Sequence, residues 1–310
     1  MYNEKTYWIT LSQINDFGTK KIFTINTMLN ELQISIEDLY NLTQTELVSI
    51  GLSSKDAEKI IHSKNNLGNN AFLYERLLNE GYEIFSFLDA DYPKLLIENL
   101  GIEYVPTILY LKGNNGILKE KSIAIVGSRN ASDISFNFVD KIAQKATAEF
   151  KVVVSGFAKG VDKRALDSTL AINGQSIIVL PQGILTFNKG FSDYHKHIVN
   201  GNLLVISAFY PNSGWNVSLA MIRNAYIYGL AEEIFIAESD TKGGTYQGAK
   251  EWLKKKRKVY IRIPNENEKN GNKLIIKMGA IPVNESGNAV NFQNIDTIAT
   301  AEELQIPFSY

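Results

Sequence analysis

The sequence predicts an α/β protein, a doubly wound, mostly parallel sheet preceded by a small helical domain. Three observations carry that reading. From Lys121 onward, six short runs rich in β-branched residues recur: SIAIVG (122–127), KVVVSG (151–156), SIIVLP (176–181), LLVISA (203–208), EIFIAES (233–239) and VYIRIP (259–264). Most are continuously apolar rather than alternating, as strands buried on both faces are. The segments between them are long enough for crossover helices.

Earlier elements follow in order. In TQTELVSIGLSSKDAEKIIHSKN, Leu47, Ile50, Leu52, Ala57, Ile60 and Ile61 approximate helical spacing on either side of Gly51. This predicts two helices joined by a tight turn, with Ser53 or Ser54 capping the second and Asp56 in its first turn. Such a hairpin either packs or presents N–H groups to a phosphate. The polar stretch HSKNNLGNN (62–70) marks a boundary, dividing a helical domain (1–68) from an α/β body (69–310) whose core spans 119–265. A helix follows, then a strand over Tyr82–Phe87, a turn at Asp91, Tyr92 and Pro93, and a strand over Thr107–Leu111.

Composition narrows the function classes. With 310 residues and 45% apolar content, the chain can bury a substantial core. It has 32 Lys and Arg against 33 Asp and Glu. No global field draws it to nucleic acid or an anionic membrane, so a polyanion site must be a local concentration of donors. There is no cysteine, hence no disulfide and no thiolate chemistry. MYNEKTYWITLSQ lacks a basic segment followed by an apolar run, and no apolar run approaches the roughly 18 residues that span a bilayer. The expectation is a cytoplasmic protein without membrane contact.

In a doubly wound sheet, ligands bind beyond the carboxyl ends of the strands, near a switch in strand order. The residues there are Gly127, Ser128 and Arg129; Ser155 and Gly156, followed by FAKGVD; Pro181, Gln182 and Gly183; and Glu238 through Gly244. Small residues and N–H donors dominate, with Arg129, Lys159, Lys163 and Lys242 among them, which describes an anion-binding edge. Gly127 is followed by Ser-Arg where a dinucleotide fingerprint needs more glycines, and no G-x-x-x-x-G-K-[ST] occurs. NAD-type and P-loop readings lose their support, and no cofactor is expected. His195 and His197, two apart on a predicted helix, point to different sides and read as surface residues.

Two glycine turns keep two readings each. In SGFAKGVD (155–162), Gly160 permits a tight backbone and Asp162 can cap the following helix; this is a plain strand-to-helix turn or an N–H cradle for phosphate. Gly243, Gly244 and Thr245 resemble a phosphate-binding turn. KEWLKKKRK (250–258), with six basic residues and one acid, is a solvated helix end or the extension of a basic track.

Taken in order, GSR, SGFAKGVD, VLPQGI, IRN at 222–224, and IFIAES followed by Gly-Gly resemble the DNA-processing protein A family, also called DprA or Smf. DYPKLL, PTILYLKGN and NKLIIKMGAIPV match that family's flanks, so the resemblance covers nearly all of residues 70–285. It implies an extended Rossmann-like protein without catalytic chemistry. Such a protein binds single-stranded DNA, usually as a homodimer, and helps load the RecA recombinase in natural transformation. By motif match the DNA contacts would be Gly127, Ser128, Arg129, Ser155, Gly156, Lys159, Gly160, Arg223 and Asn224, with Lys189, Lys242, Gly243, Gly244 and Thr245 beside them. Phe157, Phe187, Phe191 and Tyr246 are candidate base platforms or core.

The chain departs from the family where Ala165-Leu166 replaces Ala-His, Phe187-Asn188 replaces Tyr-Pro, Phe-Pro is missing before Arg223-Asn224, and KGGTY replaces Ser-Gly-Ser. A C-terminal winged helix, common in the family, has no room after VNFQNIDTIATAEELQIPFSY. The family also resembles lonely-guy phosphoribohydrolases, in which a Gly-Gly-Thr turn and a nearby Glu serve a nucleotide-derived ligand. Glu238 with Gly243, Gly244 and Thr245 therefore supports a second reading, a small-nucleotide sensor or N-glycosidic hydrolase. Glu251 lies farther from Thr245 than that motif places its acid.

Overall fold

The computed structural model describes residues 2–291. The expected lack of a winged helix concerns the tail and lies outside the described residues. Six helices come first: α1 (Glu4–Ser12), α2 (Thr19–Leu32), α3 (Ile36–Asn41), α4 (Gln44–Ser49), α5 (Ser54–Ser63) and α6 (Leu67–Asn79). Short polar residues start them. Ser35 with Asp38 and Thr43 with Glu46 form reciprocal capping boxes on α3 and α4, and the Ser53 side chain caps α5 as expected. The polar stretch at 62–70 is not a loop; it carries α5 through one 3-10 turn into α6. Leu47, Ala57 and Ile60 of the α4–α5 hairpin are buried in the core.

The sheet elements follow as β1 (Glu83–Ser86), α7 (Lys94–Leu100), β2 (Ile108–Gly113), β3 (Ser122–Val126), α8 (Asp133–Ala148), β4 (Val152–Ser155), α9 (Val161–Ala171), β5 (Ser176–Leu180), α10 (Asn188–Val199), β6 (Leu203–Ser207), α11 (Val217–Gly229), β7 (Glu233–Ile236), α12 (Gly244–Lys254), β8 (Val259–Arg262), α13 (Asn272–Lys277) and β9 (Ile281–Val283). Among the described residues nine strands pair in the order β1-β2-β6-β5-β4-β3-β7-β8-β9. All neighbours from β6 to β9 are parallel, while β2 pairs antiparallel with both β1 and β6. The chain builds outward from β3 through β4, β5 and β6, then returns to place β7 on the other side of β3. That reversal creates a crevice at the carboxyl ends of β3 and β7.

Strand periodicity sorts side chains onto two faces. Ile123, Ile125, Val153, Phe235 and Ala237 pack with Phe138, Val139 and Ile142 of α8, whereas Ala124, Val126, Val152, Val154, Ile234 and Ile236 join the larger core on the opposite face. Burial on both sides is why these runs do not alternate. No helix among the described residues is long and apolar enough to cross a membrane.

Candidate functional site

A cleft of about 360 Å³ opens at the strand-order reversal. Its first wall is the turn after β3. A Cβ on Gly127 would lie 2.7 Å from Val161 Cγ2 and 2.9 Å from the Glu238 carbonyl, so glycine lets α9 and the β7 exit close on this turn. The Ser128 N–H donates to the Glu238 carbonyl at 2.8 Å, and its buried hydroxyl accepts from the Asn130 N–H at 3.2 Å. Arg129 is exposed, lines the cleft and forms no ion pair among the described residues.

The start of α8 explains why the turn has no second glycine. In a dinucleotide fold the helix N-terminus receives a pyrophosphate. Here it receives an internal carboxylate: Glu238 Oε2 accepts from Ser132 N–H at 3.0 Å, Ser132 Oγ at 2.7 Å and Ser135 Oγ at 2.7 Å. The positive end of α8 is already satisfied, and an anion must find its donors elsewhere.

The second wall comes from the β4–α9 turn and α11. Ser155 is buried and its hydroxyl donates to the Ile125 carbonyl at 3.0 Å, so it faces the sheet, away from the cleft. Gly160 has φ +91°, and a Cβ there would overlap the Ser128 carbonyl. Asp162 is not the helix cap; Gly160 holds that position and Asp162 sits in the first turn, buried. Burial pushes the Asp162 carboxyl up, and Arg223 with the N–H groups of Ala158 and Gly156 offsets only part of this.

Arg223 is 4% exposed. Its Nη1 donates to the Val179 carbonyl at 3.3 Å and lies 3.9 Å from Asp162 Oδ2. Burial lowers its pKa, against the pull of Asp162, and its Nε has no hydrogen-bond partner among the described residues. Arg223, expected as a DNA contact, lines the cleft from a buried position and braces α11 against β5. Gly156 makes room for it, because a Cβ at 156 would overlap Arg223 Nη1.

The third wall is the β7–α12 turn. Gly243, at φ +98°, begins α12 without a side-chain cap, so the leading N–H groups of a three-turn helix open onto the cleft. Lys242 is exposed beside them, and Asn224 Nδ2 would lie 2.8 Å from a Cβ on Gly244.

Of the fourteen site residues expected from sequence, the cleft gathers nine: Gly127, Ser128, Arg129, Arg223, Asn224, Lys242, Gly243, Gly244 and Thr245. Ser155, Gly156 and Gly160 shape it from behind, while Lys159 and Lys189 are exposed outside its lining. Phe157, Phe187 and Phe191 are not free platforms, since Phe187 meets both of the others edge-on at 4.9 and 5.4 Å; Tyr246 packs against the core. The basic run does not extend the cleft. Lys256, Arg257 and Lys258 precede β8 at the amino edge of the sheet, in a groove with Lys121 and Lys151. Sequence reasoning missed Trp215, Val217 and Met221, which line the cleft and are largely exposed.

Comparison with known proteins agrees with this architecture. The family model for DNA recombination-mediator protein A matches residues 83–294. Protein Smf from Synechocystis sp. is 27% identical over 92% of this chain and 75% of its own length. DNA processing protein DprA from Streptococcus pneumoniae is 34% identical over 52% of this chain, a match spanning 56% of that protein. In fold, the crystal structure of S. pneumoniae DprA superposes with a TM-score of 0.71 at 23% identity, covering 91% of this chain and 95% of that one. DprA from Helicobacter pylori, whose structure was described for its single-stranded DNA binding mode, superposes with a TM-score of 0.55 at 21% identity over 65% of this chain and 90% of its own. Strand order, cleft and matched sequence concur: the chain belongs to the DNA recombination-mediator protein A family.

Proposed function

We propose that this chain binds single-stranded DNA in the carboxyl-edge cleft, without strong sequence preference and without catalysing a reaction on it. On this reading it acts as a homodimer that passes the strand to the RecA recombinase during transformation or recombination. One observation carries the DNA-binding part. The cleft sets the exposed guanidinium of Arg129, without an ion pair among the described residues, and the ammonium of Lys242 beside the N-terminus of α12, which no described side chain caps, in a family of recombination mediators. Guanidinium, ammonium and helix N–H groups are phosphate donors that recognise backbone rather than base. Arg223 contributes by holding α11 in place. The hydrolase reading loses its carboxylate, because Glu238 is engaged at the start of α8 and does not line the cleft.

A labelled oligothymidylate titrated by fluorescence anisotropy over a salt series tests the reading. Neutralising two phosphate contacts in an Arg129→Ala, Lys242→Ala variant should flatten the slope of log K against log salt by about 1.4. An unchanged affinity and slope would remove the cleft from the DNA path. A thermal shift with mononucleotides and none with oligonucleotides would move the chain to the small-nucleotide class.

A further inference from the structure

Large exposed apolar side chains are scattered over most of this surface, but four fall within eight residues: Trp215 (52% exposed), Val217 (66%), Met221 (46%) and Ile222 (48%). Single exposed apolar residues are ordinary, whereas a contiguous patch marks a contact surface. Trp215, Val217 and Met221 all line the cleft. The cleft thus has unlike walls, one apolar and polarizable, the other cationic and rich in N–H donors.

The backbone carrying Trp215 is held on both sides. Gly183 N–H donates to the Ser213 carbonyl and Ser213 N–H to the Tyr210 carbonyl, each at 2.8 Å. Asn216 caps α11 by accepting from Leu219 N–H at 2.8 Å. An indole presented from a fixed turn loses little conformational entropy when a ligand covers it. Among the charged groups, Arg129 and Lys242 line the cleft with Asp240 and the Asp162–Arg223 pair; Arg223 shares α11 with Val217 and Met221 but is buried, so the apolar wall exposes no charge. The volume is at the small end of the roughly 300–1,000 Å³ usual for ligand pockets. It suits a single nucleotide unit better than a folded partner.

We propose that Trp215, backed by Val217 and Met221, is the wall on which one nucleobase stacks while Arg129, Lys242 and the α12 N-terminus hold the adjoining phosphate. This rests on the DNA-binding reading above and assigns its aromatic platform to a residue outside the family motifs. It also makes Trp215 a reporter, because Trp8 and Trp252 are each 3% exposed.

The test titrates the full chain with oligothymidylate and with an abasic deoxyribose-phosphate strand of equal length, reading tryptophan fluorescence and anisotropy together. The thymidylate strand should quench the emission, and the abasic strand should bind more weakly and leave it unchanged. Trp215→Ala should weaken thymidylate binding about 5- to 150-fold and abasic binding less than twofold, with Trp215→Phe between. If thymidylate binds with its salt slope intact and Trp215→Ala matches the wild type, or weakens both strands equally, the stacking wall is refuted and the DNA-binding reading stands. Conversion of a dimer to a monomer by Trp215→Ala, seen by sedimentation, would reassign the patch to a second copy and also refute it. If neither strand binds the wild type, both readings fall.

Discussion

Gly156→Ala isolates the support beneath the cleft. The added methyl would overlap Arg223 Nη1 and Cζ and sit 2.6 Å from Asp162 Oδ2. No positive φ is involved at Gly156, so the penalty is steric and electrostatic rather than conformational. Overpacking a core costs about 1–3 kcal/mol, and unpairing a buried ion pair about 3–5. The guanidinium can escape partly toward the cleft, so the loss should be about 2–4 kcal/mol, or about 3–6 °C in Tm for a chain of this size. Thermal unfolding followed by circular dichroism reads this directly. A cycle with Arg223→Met assigns the cause, because with the guanidinium gone the cost of Gly156→Ala should fall by at least half. An alanine variant that melts within about 1 °C of the wild type, or the same cost in both backgrounds, would refute the claim that Gly156 is small for the sake of Arg223.

Two further outcomes follow from the carboxylates around the sheet. Burial pushes the Glu268 carboxyl up, but Arg262 and the Asn265 N–H outweigh it and hold the group below its ordinary value. A carboxyl lowered by folding contributes stability that is present above its unfolded pKa, about 4.3, and is lost as pH falls through the folded one. Urea midpoints of wild type and Glu268→Gln should therefore differ at pH 7 and draw together as pH falls below about 4.3; a constant offset would contradict the pairing with Arg262. Glu238→Gln should lower stability by about 1–3 kcal/mol while oligonucleotide affinity stays within twofold. Lost binding with unchanged melting would return Glu238 to the ligand site.

The sheet was legible because its strands are buried on both faces, which writes a continuous β-branched run at SIAIV, VVV or SIIVL regardless of partner. β9 escaped: Ile281–Val283 is three residues with a central proline at a sheet edge, too short for periodicity to register. The small residues at 127, 156 and 160 were legible at the carboxyl edge, but which atoms crowd them is tertiary information. Arg223 shows the distinction. Motif matching marked it as a DNA contact without showing its burial, although Ala220, Arg223 and Ile227 trace an i, i+3, i+7 stripe on the buried face of α11. Trp215 left no such trace, since it lies in a turn before the first helical repeat. Asp162 looked like a cap because strand-to-helix turns favour aspartate there, whereas Gly160 takes the cap position with a positive φ and shifts the carboxylate into the interior.

The pairing of β3 with β7 has a consequence for synthesis. Ile123 to Val126 meet Glu233 to Ile236 only after β4, β5 and β6 have been laid down on the other side. Until then β3 presents a bare, apolar edge with unsatisfied N–H and C=O groups, the arrangement that invites pairing with another chain. The nascent protein therefore exposes this strand edge for the interval in which most of its sheet is complete, and the cleft, shared between the exits of β3 and β7, forms only when that edge is closed.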